Sequence, residues 1–393
     1  MIFQFEKKVL EWIQNNIVKI VLVVVSILGC IIRFSLRDFV SVDASAWLLP
    51  WYDQIKANGG LRGVGIPIDE CNYNFPYMLL VAFFTYIPIK PLYSYKLLSC
   101  VFDYLLAIIV GKIVYRLTDN KTKGIIAFAI TLSSPLVILN SAAWAQCDSI
   151  YTFFIVLALY NLIEEKELYS FIALGFAFAF KLQAVLILPF FVLYYLYKKR
   201  ITVLYFCILP LPLIGLSVPA LAQGRTIREM IKIYLGNTDL YGKISMNYPS
   251  IWNLVTASSL EIGYETLKNA AILLAVVALG MIMLYVIAGK IEFSGTNQIL
   301  LAFIMCYTAV IMLPAMHERY GFVYEILAII VIFLLPKTIV GLCCLIGISM
   351  ITYGNFLFNQ QYNLLLLSVV NIAVYLIYTR ELFCVICKNR NMQ

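Results

Sequence analysis

Apolar residues along this chain come in runs of about 15–25, separated by short charged or Pro/Gly-containing breaks, too long for strands. Runs of that length suit helices crossing a hydrocarbon layer about 30 Å thick. Twelve can be drawn, at about 18–34, 95–117, 124–141, 148–163, 168–180, 183–197, 201–221, 266–289, 297–315, 319–336, 338–357 and 362–379. A further apolar piece, Pro76 to Ile89, is short for a crossing and starts with proline, so it is expected to be re-entrant or to lie at the interface. The pattern predicts an all-α polytopic membrane protein, one transmembrane domain over 1–393.

Lysine and arginine in short loops favour the cytoplasm. Lys7 and Lys8, then Arg116 with Lys121 and Lys123, then Lys198, Lys199 and Arg200, then Lys388 and Arg390 all fall on one face under this count, which is therefore the expected cytoplasmic face. The opposite face receives a first long loop, 35–94, with interfacial helices, and a second, 222–265. It also receives the turns near 142–147, 181–182 and 315–318. No inverted or tandem repeat of the kind common in transporters is evident.

Composition sharpens this. At 63% apolar and 13% charged residues the chain carries roughly half the charge of a soluble globule. The formal excess of +8 is scattered singly between apolar runs, which argues for anionic headgroups and against nucleic acid. One histidine leaves little for a His-built metal site, and of ten cysteines only Cys384 and Cys387 have metal-like spacing, without a second pair. No metal or other cofactor is expected, a divalent ion at Asp148 being the less favoured alternative.

Ionisable groups at the mouth or inside of such a bundle are costly, so each is a functional candidate. Asp43 stands just after the first run and ahead of Trp47, Leu48, Trp51 and Ile55 at helical spacing. That spacing predicts an amphipathic helix in the headgroup layer, where the carboxylate could act as general base towards an acceptor hydroxyl. The plainer role is a helix N-cap, which Ser41 and Asp43 both suit. Trp144, Gln146 and Asp148 lie on the same face, and Asp148 equally suits the start of an apolar helix. Lys181 and Gln183 interrupt about thirty apolar residues, where the lysine either snorkels to the surface or holds an anionic headgroup. His317, Glu318 and Arg319 are consecutive. Arg319 offers donors suited to phosphate and His317 a donor or a positive charge, an inert ion-pair cluster being the alternative. Glu325, seven residues after Glu318, would share a helix face with it. Asn247, Tyr248, Trp252 and Asn253 mix amides and aromatics as sugar-contacting surfaces do, and Asp38, Asp53 and Asp103 complete the set.

Ser41-x-Asp43, Leu49-Pro50-Trp51-Tyr52, Asn74-Phe75-Pro76-Tyr77, Trp144-Ala145-Gln146-Cys147-Asp148-Ser149, Phe180-Lys181-Leu182-Gln183 and Met316-His317-Glu318-Arg319-Tyr320 follow one another on one face. In this order they resemble the polytopic GT-C glycosyltransferases, nearest to the branch of GPI-type mannosyltransferases and their bacterial counterparts, over about 33–325. The resemblance implies a GT-C fold of about twelve transmembrane helices. It also implies inverting transfer of a hexose from a polyprenyl-phosphate monosaccharide to a hydroxyl of a glycan or lipid-linked glycan, on the extracytoplasmic side. It carries the base over to Asp43 and donor-phosphate binding to Lys181, His317 and Arg319. Trp51, Gln146, Asp148, Gln183, Asn247, Tyr248 and Glu318 are expected at the sugar and acceptor. The sequence departs from the family's usual Trp-Gly-Gln-Cys-Asp in having Ala145, which makes that backbone less permissive.

A polysaccharide polymerase or ligase acting on lipid diphosphates is the rival enzyme, expected to show more outer-face arginines. A lipid-linked sugar flippase or transporter would instead place its charges near the bilayer middle. The Ile- and Lys-rich character and compact loops favour a bacterial plasma membrane, or the ER membrane in a eukaryotic host.

Overall fold

The computed structural model describes residues 2–236, 242–258 and 262–390; the side chains of Cys387, Lys388 and Arg390, invoked above, lie outside the described residues. Each of the twelve apolar runs is helical. Seven described helices are long and apolar enough to cross a bilayer: Phe3–Ser35, Pro91–Thr118, Val203–Ala222, Tyr264–Ala288, Gly295–Met312, Pro336–Phe358 and Leu364–Ile386. The bent pair Lys121–Ser133 and Pro135–Ala143 makes an eighth if counted as one span. The other four runs form shorter apolar helices, Asp148–Ile163, Glu167–Phe180, Leu182–Lys198 and Phe322–Leu334. The chain is an all-α, multi-pass membrane protein. Its outward faces carry Leu273, Val276 and Leu284, all exposed, as a lipid solvent allows.

Local chemistry sets the breaks. The 43° bend of the paired helices falls at Ser134, whose extended backbone (φ −60°, ψ 126°) is what the following Pro135 favours. Pro76–Ile89 becomes the ten-residue helix Phe75–Phe84, with Asn74 accepting from the Phe75 amide and Pro76 in the first turn. Helices Pro91–Thr118 and Lys121–Ser133 touch through Gly111 and Gly124. A Cβ on either would come within 2.8 Å of the other's carbonyl oxygen, so only glycine permits this approach.

The core is built around Gly295–Met312 and Phe322–Leu334, both almost wholly buried. Asp103 belongs to this architecture. Fully buried, it accepts from Arg33 Nε at 2.8 Å and from the Ser141 and Ser149 hydroxyls at 2.5 Å each. That ties four segments together with every partner satisfied, as a buried ion pair requires.

The first long loop departs from expectation. Its helical stretch is present, as a π-helical turn Ala44–Leu48 running into helix Leu49–Ala57. Yet Leu48, Trp51 and Ile55 are buried in the protein's own core, and only Trp47 of that apolar face stays exposed. The reason is competition: Tyr73, Tyr77 and Tyr95 from later segments cover the face, with the Trp51 and Tyr73 rings 5.7 Å apart. The second long loop is anchored by a two-residue parallel ladder pairing Ser245 with Met316 and Met246 with His317.

Candidate active site

Four sequence-distant breaks meet at one end of the bundle: the start of the first loop, the turn 144–147, the helix break at Lys181 and the loop 313–321. At the first, Ser41 caps the helical turn: its hydroxyl accepts from the Ala44 amide at 3.2 Å and donates to the Trp144 carbonyl at 2.9 Å. Asp43 sits at the cap position but makes no capping bond, so its carboxylate is available to the cavity. Trp144 Nε1 (2.8 Å) and Gln146 Nε2 (3.0 Å) both donate to its Oδ2, while Oδ1 receives no hydrogen bond from the described residues.

The turn that supplies these donors holds Ala145 at φ 65°, the left-handed conformation in which glycine is at ease. A glycine at this position would adopt the same turn without strain. Two more left-handed residues, Asn247 (φ 64°) and Ala315 (φ 57°), flank the same region. Concentrated strain of this kind is a feature of functional sites.

Lys181 interrupts its helix in extended conformation (φ −153°, ψ 133°). Its ammonium binds Asp148 Oδ1, whose Oδ2 accepts from Asn140 Nδ2 at 2.8 Å, and both charged residues are buried. Arg319 donates through one terminal nitrogen to Gln146 Oε1 and lies over the Trp144 ring, 5.6 Å from its centroid. Its Nε is buried without a hydrogen-bond partner, and it forms no ion pair with a described residue. A half-buried guanidinium so placed is a ready anion site.

Two adjoining cavities share Asn72, Tyr73, Met246, His317 and Arg319 as a common wall. One, about 250 Å³, holds Asp43, Gln146, Asn247 and Glu318 among the aromatic rings of Trp47, Trp51, Trp144 and Phe356. The other, about 350 Å³, holds Lys181, Gln183 and Tyr320. Beyond these residues, the shared wall, Asn74 and Tyr234, the rest of its lining is apolar and includes Val185 and Ile272, both exposed. The first cavity is suited to a polar molecule stacked on aromatics, the second to an anionic head with an apolar tail.

Burial and the positive charges of Arg319 and Lys181 push the His317 pKa down to about 3, so the imidazole is neutral and offers no positive charge. Burial drives Glu318 up to about 7. Burial opposes the Arg319 charge, but Asp148 and Asp43 nearby hold it firmly protonated.

Among the residues expected at the site, Asp43, Trp51, Gln146, Asn247, Glu318, Lys181, Gln183, His317 and Arg319 line one or both cavities. Asp148 lies just behind, as partner of Lys181. Tyr248 does not reach either cavity. It is buried in a hydroxyl and amide network with Tyr324 (2.7 Å) and Asn371 (3.2 Å), because the ladder directs Met246 and Asn247 to the cavity and turns Tyr248 inward. Nor do Glu318 and Glu325 share a helix. The helix begins at Phe322, and Glu325 is buried with the Ser349 hydroxyl on one oxygen at 2.5 Å. Asp38 lies exposed beside Arg37, Lys90 and Tyr93, and Asp53 is exposed too.

Tyr73, Asn72 and Asn140 escaped the sequence reading. The Tyr73 hydroxyl donates to Gln146 Oε1 at 3.1 Å. The polar run Asn72-Tyr73-Asn74 ahead of Pro76 was its only local signal. Asn140 had none, because an amide at the end of an apolar run reads as a helix terminus. No described group of three His, Cys, Asp or Glu residues is placed to share a metal ion. No family model matches the chain and no curated protein matches it, so the chemistry of the site is read from its own geometry.

Proposed function

We propose that the chain is an inverting glycosyltransferase of the GT-C type that moves a hexose from a polyprenyl-phosphate monosaccharide to a hydroxyl of a glycan or lipid-linked glycan. The observation carrying this reading is the pair of adjoining cavities: a carboxylate with one unengaged oxygen in the aromatic cavity, and in the shared wall an arginine that makes no ion pair with a described residue, beside a cavity whose apolar lining includes the exposed Val185 and Ile272. A water-soluble donor would need no apolar flank, and a transporter would need a path between faces.

In the proposed reaction the acceptor lies against Asp43 and the donor phosphate against Arg319. The acceptor oxygen bonds to the anomeric carbon from the side opposite the phosphate, and the bond from that carbon to the phosphate oxygen breaks. The hydroxyl proton passes to Asp43 Oδ1, and the lipid leaves as its phosphate with one more negative charge than it brought. Arg319 would stabilise that charge where it develops, in a dry site where such interactions are strongest. Lys181 would contribute less than Arg319, since Asp148 already neutralises it. His317, neutral, would contribute as a polar wall group.

In this reading the short helices complete about twelve crossings and the site faces outward, on a bacterial plasma membrane. Transfer of radiolabelled hexose from a panel of polyprenyl-phosphate sugars, by purified protein in nanodiscs with membrane extract as acceptor, tests the reaction. Wild type is expected to transfer at least one hexose, and Asp43→Asn to lose about 10²–10⁴-fold. Equal transfer by both removes Asp43 as base. No transfer from any donor favours a polymerase of lipid diphosphates or a flippase.

A further inference from the structure

The base of the proposed reaction and its phosphate-binding cation are joined through one side chain. Gln146 Nε2 donates to Asp43 Oδ2 at 3.0 Å, and its Oε1 accepts from Arg319 and from the Tyr73 hydroxyl at 3.1 Å. The orientation of this amide is dictated by its neighbours. A guanidinium has only donors, so the amide oxygen must face Arg319, and the nitrogen must then face the carboxylate. Both lone pairs of Oε1 are used, and Gln146 is almost wholly buried at 3% exposure. The backbone supports the placement: the Gln146 amide donates to the Asn140 carbonyl at 2.9 Å, directly after the left-handed Ala145.

We propose that Gln146 is the positioning residue of the site, a neutral spacer that holds Asp43 and Arg319 at a set separation, instead of the sugar contact the sequence suggested. The proposal rests on the transferase reading. A carboxylate and a guanidinium brought together directly would pair, removing the base from the acceptor and the cation from the phosphate. An amide between them bonds to both and neutralises neither. No other uncharged side chain of similar length offers a donor at one atom and an acceptor at its neighbour, so glutamate, methionine and asparagine each fail in a different way.

Loss of the Gln146 donor leaves the Asp43 carboxylate held by the Trp144 indole alone. In Gln146→Met, kcat is expected to fall at least tenfold while the donor and acceptor KM change less. In Gln146→Glu the added carboxylate repels Asp43 and pairs with Arg319, so the affinity for polyprenyl phosphate also drops at least tenfold. The second measurement needs no turnover: binding of polyprenyl phosphate to wild type, Asp43→Asn, Gln146→Met and the double variant. Asp43→Asn is expected to change this affinity by a different factor in the wild-type and Gln146→Met backgrounds, showing that the two sites communicate through the amide. A higher acceptor KM for Gln146→Met with kcat unchanged and equal factors in the two backgrounds would make Gln146 a substrate contact and overturn the proposal. If Asp43→Asn transfers at the wild-type rate, the transferase reading fails at its base. A coupling that persists in the binding measurement would still leave Gln146 as the link between the two groups.

Discussion

Glu318 lines the Asp43 cavity at 5% exposure, and its carboxyl is held up to about 7 by burial against an ordinary value of 4.5. The fold therefore favours the protonated acid. Because the folded value is the higher one, the stability linked to this group is complete below about 4.5 and is lost as pH rises through about 7. At about 1.4 kcal/mol per pH unit, the interval corresponds to about 3 kcal/mol, of which about 2 kcal/mol is lost between pH 5.5 and 8.5. Glu318→Gln has the shape of the neutral acid at every pH. Thermal unfolding of both proteins in the same detergent at pH 5.5 and 8.5 measures the effect, and the variant should gain a few degrees over wild type on going to the higher pH. The comparison also cancels His317. With its pKa depressed to about 3, that residue costs both proteins stability as pH falls below 6.5. A difference between the two proteins that is independent of pH, or that shrinks towards pH 8.5, would refute the argument that burial keeps Glu318 neutral.

The buried pair Lys181 and Asp148 should show strong non-additivity in unfolding measurements. Lys181→Met alone is expected to cost about 3–5 kcal/mol by leaving Asp148 uncompensated, and adding Asp148→Asn should recover most of it; additive losses would show that the two do not depend on each other. Ala145 and Ala142 are equally buried, three residues apart, but only Ala145 is left-handed. Replacing either with glycine loses the same methyl and the same chain entropy, so Ala145→Gly should be more stable than Ala142→Gly by about 1–2 kcal/mol. Equal unfolding temperatures for the two would mean that the turn carries no strain.

The sequence by itself determined the membrane class and the helices, because a bilayer demands long unbroken apolar runs and each of the twelve runs is visible without a partner. It also marked most of the polar residues that line the cavities, since an ionisable group amid apolar neighbours stands out whatever the fold. Their roles were decided only by tertiary contacts. Asp43 and Asp148 look alike as helix-start carboxylates, yet Asp43 meets two donors and a cavity, while Asp148 meets Lys181 and Asn140. The amphipathic stretch 44–57 has the pattern of a membrane-surface helix, but Tyr73, Tyr77 and Tyr95 cover its apolar face, and hydrophobic spacing cannot say whether lipid or protein does the covering. Tyr248 turned inward through a ladder only two residues long, too short to leave a trace in the pattern. Gln146 reads from sequence as one more polar group. It becomes the link between Asp43 and Arg319 only where segments 103 and 173 residues apart in the chain converge on its two amide atoms.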